Sequence, residues 1–271
     1  MIFRRGQSGP GSDAPPPGAG KPGRHEFEQV APYYDALMAA VPYGYWVDYV
    51  QRLLAIYQAP ARQVLDLACG TGQVGAELRR RGYEVLGADL SEPMVRACAR
   101  QVPPLRAVVM DASRLGLQEA SLDLVVCLFD SLNYLLEPED LRQCFVGVHR
   151  ALRPGKLFIF DLNTPRALQI GLFSQQDMRA EQLLQYRWEA HWETEQKLCR
   201  VDMWFRWKGS GGPLEFEETH YQRAYQETEV RDWLQAAGFS RVDSYEAYSL
   251  RPVTELTDRM YFVAQKETTG P

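Results

Sequence analysis

Val64-Leu65-Asp66-Leu67-Ala68-Cys69-Gly70-Thr71-Gly72 reads as a buried strand that ends in a turn with little room for side chains. Val64, Leu65 and Leu67 suit a parallel strand covered on both faces, and Gly70 and Gly72 let the main chain approach a ligand across the strand's carboxyl end. Asp66 is the exception, because a carboxylate in such a strand is costly to bury without a charged or hydrogen-bonding partner. Its presence there argues for a ligand that brings one.

Outward from this stretch, strand and helix alternate as far as Phe160. Strands are expected over 63–68, 84–88, 106–110, 122–128 and 156–161. Helices are expected over 72–81, 92–101 with Ser91 as cap, and 137–152 ended by Pro154-Gly155. That rhythm predicts a doubly wound, mostly parallel α/β sheet, and crossover handedness brings Gly70, Asp89, Asp111 and Asp130 to one edge of it. Two helices precede it, one through Val30 to Met38 and one through Trp46 to Tyr57, separated by Pro42-Tyr43-Gly44. After Asp161 the rhythm breaks. A helix near 165–182 leads into three alternating segments, 184–195, 198–208 and 214–226, which predict a three-stranded antiparallel insertion at 183–226. A helix capped by Thr228 and ended at Gly238, then strands at about 241–248 and 259–265, complete the pattern.

With 271 residues and a net charge of −5, the chain is most simply one domain over 26–266, with tails at 1–25 and 267–271. The first tail is rich in Gly and Pro and too poor in apolar residues to offset its ordering entropy. No apolar run approaches the ~18 residues of a membrane span, Arg4 and Arg5 are followed by no apolar h-region, and no basic footprint points to nucleic acid. The five cysteines include no C-x-x-C pair, which argues for a reducing, cytoplasmic setting and for no metal.

The run from Asp66 to Gly72 resembles motif I of the class I S-adenosylmethionine-dependent methyltransferases, whose sheet has seven strands and a C-terminal hairpin. Gly70-Thr71-Gly72-Gln73-Val74-Gly75 also matches the G-x-G-x-x-G dinucleotide fingerprint, with Asp89 placed for a ribose, so an NAD(P)-dependent reductase is the alternative. Pyrophosphate facing Asp66 would be repelled, whereas an ammonium and a sulfonium would not, and no Tyr-x-x-x-Lys pair is present. A cofactor-bound but inactive module stays open as well.

The resemblance implies S-adenosyl-L-methionine as cofactor. It assigns the ribose to Asp89, the adenine amino group to Asp111 and the adenine faces to Met94 and Ala112. Ala68, Leu90 and Phe129 join Asp66, Gly70 and Gly72 along the same edge, and Asn133 is a further candidate contact. Phe27-Glu28-Gln29-Val30-Ala31-Pro32-Tyr33-Tyr34-Asp35 resembles a segment that folds over the cofactor, which implies that Tyr34 touches the methionine carboxylate. Trp46 either closes that site or packs its helix on the core. The run from Glu218 to Tyr225 is similar to the strand over the acceptor pocket of sugar-amine N-methyltransferases. Asp130 and His220 are the candidate bases for a small-molecule N or O acceptor; Asp130 serves equally as a helix cap. Tyr186, Trp188, Trp192, Trp204 and Trp207 make the insertion unusually aromatic, which leaves a packing face or a homodimer contact open.

Overall fold

The computed structural model describes residues 26–101, 104–209 and 212–268. The stretch read as an N-terminal tail, 1–25, and residues 269–271 lie outside them. The strand over Asp66 forms as read, β1 at Gln63–Leu67, and it is an interior strand of the sheet. It pairs in parallel with β2 (Glu84–Asp89) on one side and with β4 (Leu122–Cys127) on the other; β3 (Arg106–Val109) lies outside β2 and β5 (Leu152–Asn163) outside β4. β11 (Arg259–Lys266) runs antiparallel to β5 and to β10 (Phe239–Glu246), giving the seven-strand order β10-β11-β5-β4-β1-β2-β3. Every residue of β4 is buried, as expected where helices cover both faces.

One face packs on α5 (Pro138–Ala151) and α7 (Glu227–Ala236) through Phe145, Val148, Val230 and Leu234. The other packs on α2 (Tyr43–Ile56) and α3 (Gln73–Arg80) through Val50, Leu53 and Leu78. The Ala31–Tyr33 3-10 turn and the short α1 (Tyr34–Leu37) precede α2, and α4 (Glu92–Cys98) follows β2.

Departures from the expected elements are local. β5 begins at Leu152 and not at 156, because Leu152 already pairs with Leu122 of β4 directly after α5. The expected long helix at 165–182 is only five residues, α6 at Pro165–Gln169, and Gln175–Asp177 becomes a strand, β6. The insertion therefore has four strands and not three. β6 pairs with β7 (Leu184–Glu193), which pairs with β8 (Leu198–Trp207), which pairs with β9 (Leu214–Arg223), all antiparallel. The α7 cap is Gln226, whose amide donates to Glu229, and not Thr228.

Candidate active site

A cavity of about 800 Å³ opens at the carboxyl edge of the parallel strands and runs under the antiparallel sheet, within the range of small-molecule sites. Tyr34, Trp46, Asp66, Ala68, Gly70, Asp89, Leu90, Met94, Asp111, Ala112, Phe129, Asp130 and His220 all line it. Of the candidate cofactor and catalytic residues read from the sequence, Gly72 and Asn133 do not. Gly72 sits at φ +84°, and a Cβ there would lie 2.9 Å from Leu105 and 3.0 Å from the Cys98 Sγ, so packing beneath the turn is what demands glycine. Asn133 is a buried clip. Its amide donates to the carbonyls of Arg223 (2.8 Å) and Asn163 and accepts from the Asn163 amide (2.9 Å), which leaves nothing for a ligand.

The cofactor end is built from three strand ends. Asp89 closes β2, where its carboxylate accepts from the amides of Gly70 at 2.7 Å and Ser91 at 2.9 Å. It thereby holds the motif turn as well as facing the cavity. Ser91 occupies the N-cap position, yet its hydroxyl makes no capping bond. Burial raises the Asp89 carboxyl above its usual range against the pull of those amides. Asp66 is buried beneath the same turn, and among the described residues its Oδ2 has no hydrogen-bond partner. Burial first, and Asp89 as a lesser cause, push the carboxyl up to about 7 against the pull of the Gly75 amide. Such an orphaned acceptor fits a cationic ligand group and not a phosphate. At the end of β3, Asp111 is oriented by Ser113, which donates from its amide (2.8 Å) and its hydroxyl (2.7 Å).

The N-terminal segment closes this end as a strap. Asp35 accepts from the Thr71 hydroxyl at 2.6 Å and from Gln73 at 3.1 Å, which sets Tyr34 over Gly70. Trp46 stacks on Phe129 with centroids 5.2 Å apart. Phe129 and Asp130 both hold positive φ, 70° and 53°, a conformation that costs about 1–3 kcal/mol in a non-glycine residue unless its surroundings impose it. Asp161 imposes it by accepting both amides, at 2.7 and 3.0 Å. Asp130 then accepts from Arg259 (2.7 Å) and from Gln222 (2.6 Å), so both of its oxygens are engaged.

The far end belongs to the antiparallel sheet. Tyr186 and Trp188 of β7 and Val201, Met203 and Phe205 of β8 face the cavity, while Arg187, Glu189, Arg206, Glu215 and Glu217 alternate outward. Tyr186 and Trp188 thus roof the cavity; Trp204, beneath the Arg206 guanidinium, is on the outer face. On β9 the same alternation turns Glu218, His220 and Gln222 inward. His220 is fully buried, with Nε2 2.8 Å from a Glu218 oxygen and Nδ1 3.3 Å from the Tyr134 hydroxyl. The other Glu218 oxygen accepts from the amides of Gln29 (2.7 Å) and Val30 (3.0 Å), which fastens the strap to the sheet. Glu218, Gln222, Tyr134 and Arg259 were not singled out from the sequence. The period-two alternation around His220 carries the signal for the first two; the others come from distant segments.

Among the described residues no helix is long and apolar enough to cross a membrane, and no cluster of three or more His, Cys, Asp or Glu side chains could hold a metal ion.

Residues 64–155 match the methyltransferase-domain family. A Geobacillus sp. (strain WCH70) protein described as a methyltransferase is 30% identical over 250 residues, covering 89% of this chain and 99% of its own length. A Bacillus subtilis (strain 168) protein of the same description is 29% identical over 252 residues, covering 90% and 98%. Among solved structures, an S-adenosylmethionine-dependent methyltransferase from Clostridium acetobutylicum superposes with a TM-score of 0.77 at 27% identity, covering 88% of this chain and 98% of its own. A sugar N-methyltransferase from Streptoalloteichus sp. shares the fold, with a TM-score of 0.72 at 18% identity over 98% of this chain and all of its own. These relationships decide between the two cofactors that the glycine-rich turn alone allowed, and the unpartnered Asp66 oxygen agrees with the choice: the chain belongs to the S-adenosylmethionine-dependent methyltransferases.

Proposed function

We propose that this methyltransferase acts on a small molecule held between the carboxyl edge of the parallel sheet and the inner face of the antiparallel one. The observation that carries this reading is the continuity of the cavity, from Asp89 and Asp111 at one end to Met203 and His220 at the other, beneath the N-terminal strap. When bound, S-adenosylmethionine supplies a methyl group already activated by a sulfonium.

The chain's own residues then have three tasks. Asp89 would accept from the ribose, Asp111 from the adenine amino group and Asp66 would face the ammonium, with Leu90, Met94 and Ala112 available to the adenine ring. Ala68, Gly70 and Phe129 shape the edge. Tyr34 and Trp46 cover the amino-acid end and exclude water, and orienting the acceptor against the methyl group contributes several kcal/mol of the rate. Asp130, tied to Arg259 and Gln222, holds the wall between the two ends, and His220 is the base for an acceptor that must lose a proton. The free cysteines suit a cytoplasmic setting.

The test is calorimetry with S-adenosylhomocysteine together with transfer of a labelled methyl group. Asp89→Ala should weaken binding by about 1.5–3 kcal/mol, the scale of a lost charge-assisted hydrogen bond. Label from the wild type should enter the small-molecule fraction of a cell extract. Label confined to protein or nucleic acid would overturn the reading.

A further inference from the structure

Resting on that small-molecule reading, we infer that the acceptor is a hydroxyl borne by an apolar ring, and that Tyr134, His220 and Glu218 form the chain that takes its proton. The chain runs inward from the cavity wall. The Tyr134 hydroxyl lies 3.3 Å from His220 Nδ1, and Nε2 lies 2.8 Å from Glu218. With Nε2–H donating to the Glu218 carboxylate, Nδ1 is left as the acceptor of the Tyr134 proton. Glu218 cannot swing away, because its second oxygen holds the amides of Gln29 and Val30. The Phe27 ring packs edge-on against His220 at 4.5 Å and tilted against Tyr134 at 5.3 Å, which holds both rings in place. Tyr134 lines the cavity, His220 is fully buried beside it and Glu218 lies behind them, which makes the Tyr134 hydroxyl the group of this chain offered to an acceptor.

The surrounding groups select the acceptor's chemistry. Tyr186, Trp188, Val201, Met203 and Phe205 present rings and aliphatic surface, which favours an apolar, planar molecule. The cavity's Arg259 is spent on Asp130 and Asp161, so it cannot receive a phosphate or carboxylate. An ammonium would need a carboxylate. Asp130 and Glu218 are committed as described, and Glu26, which accepts from the Tyr221 amide, is pushed up to about 8 by burial and stands neutral near pH 7. A neutral hydroxyl meets no such obstacle, and unlike a neutral amine, whose nitrogen attacks without first losing a proton, it has use for the Tyr134–His220–Glu218 chain.

The step balances. The acceptor O–H bond breaks and its proton passes to Tyr134 Oη as the Tyr134 proton passes to His220 Nδ1. The oxygen's electron pair forms the O–CH3 bond as the S–CH3 bond breaks, its electrons remaining on sulfur. The imidazolium, paired with Glu218, later returns its proton to water. Tyr134 and His220 are catalytic residues in this scheme, and Glu218 is a positioning residue.

The test uses the full chain, methyl-labelled S-adenosylmethionine and two probe sets: phenol, 1-naphthol and 4-nitrophenol against benzylamine and cyclohexylamine. Wild-type protein should methylate the phenols. Tyr134→Phe and His220→Gln should lower kcat for phenol by roughly 10²–10⁴-fold, the scale of general base catalysis. They should lower it far less for 4-nitrophenol, which ionises readily, and S-adenosylhomocysteine affinity should stay unchanged. Glu218→Gln should lower kcat for phenol about tenfold with KM unchanged, and Glu218→Asp should restore part of it. Without turnover, 4-nitrophenol bound beside S-adenosylhomocysteine should show the yellow phenolate in the wild type and not in His220→Gln. Amine methylation without phenol methylation, no phenol methylation at all, or phenol rates indifferent to Tyr134→Phe and His220→Gln would overturn the proposal. The first of these would leave small-molecule transfer standing, whereas label found only in macromolecules would overturn both.

Discussion

Asp66 carries a conflict between stability and binding that can be measured. Burial holds its carboxyl up at about 7, against 3.8 for the ordinary aspartate, so between roughly pH 4 and 7 the folded chain binds a proton that the unfolded chain has released. The contribution of this group to stability is therefore full below the unfolded value and is lost as pH rises through the folded one, at up to about 1.4 kcal/mol per unit. Asp66→Asn removes the loss. It should melt higher than the wild type at pH 8 in thermal denaturation, and it should bind S-adenosylhomocysteine more weakly because the ammonium loses its charge partner. In the wild type the same affinity should weaken as pH falls below 7, with proton release on binding in calorimetry across buffers of different ionisation enthalpy. Asp130 has a different character. Its carboxylate is one of two that hold Arg259 in place, so Asp130→Asn should destabilise the fold by about 2–3 kcal/mol, leaving Arg259 to Asp161. Calorimetric melting against turnover separates this from a chemical role: a large loss of rate with no loss of stability would make Asp130 a base.

At the scale of elements, the strap is the joint between the two sheets. α1 is only four residues long and has no fully buried side chain, so it stays in place through Asp35 on the β1–α3 turn and through Val30 and Gln29 on β9. Asp35→Ala should weaken S-adenosylhomocysteine binding about fivefold, near 1 kcal/mol for a partly exposed hydrogen-bond acceptor, while the melting temperature stays within about two degrees. Tighter binding in the variant would show that the strap obstructs the site instead of completing it. The elements that were legible in the sequence are those fixed by local pattern: β1 and its turn, β2 to Asp89, the amphipathic α5 and α7. The segment 165–182 was not legible, because its apolar residues suit a helix equally well. What turns Gln175–Asp177 into a strand is the edge of β7, a tertiary partner that periodicity does not contain. Asn133 misled for the same reason. Its place beside the site is real, but its amide is claimed by Arg223, 90 residues away in the chain.

For the whole molecule, the antiparallel sheet and the parallel sheet enclose one cavity, and the strap depends on both. A graft joining Gln182 to Gln226 by a short polar loop would remove His220, Gln222 and the roof over the acceptor, so methyl transfer should be lost. Sequence reasoning alone expects the cofactor site to survive, since its residues fall between 27 and 133. The structure argues otherwise. Removing β9 also removes Glu218 and the amide of Tyr221, which hold the strap at Val30 and Glu26, and it leaves Val30, Tyr33 and Leu37 without the apolar cluster that buries them. Tyr34 would then be held only through Asp35. The grafted protein should keep the melting transition of the parallel domain, whose core on both faces is built without the insertion apart from Tyr225, yet bind S-adenosylhomocysteine at least tenfold more weakly, a loss of about 1.4 kcal/mol or more. Calorimetry, thermal denaturation and light scattering on the same preparation decide it. Full cofactor affinity in the graft would mean that the strap closes over the site without the sheet, and retained turnover would mean that the antiparallel sheet is not the acceptor's roof.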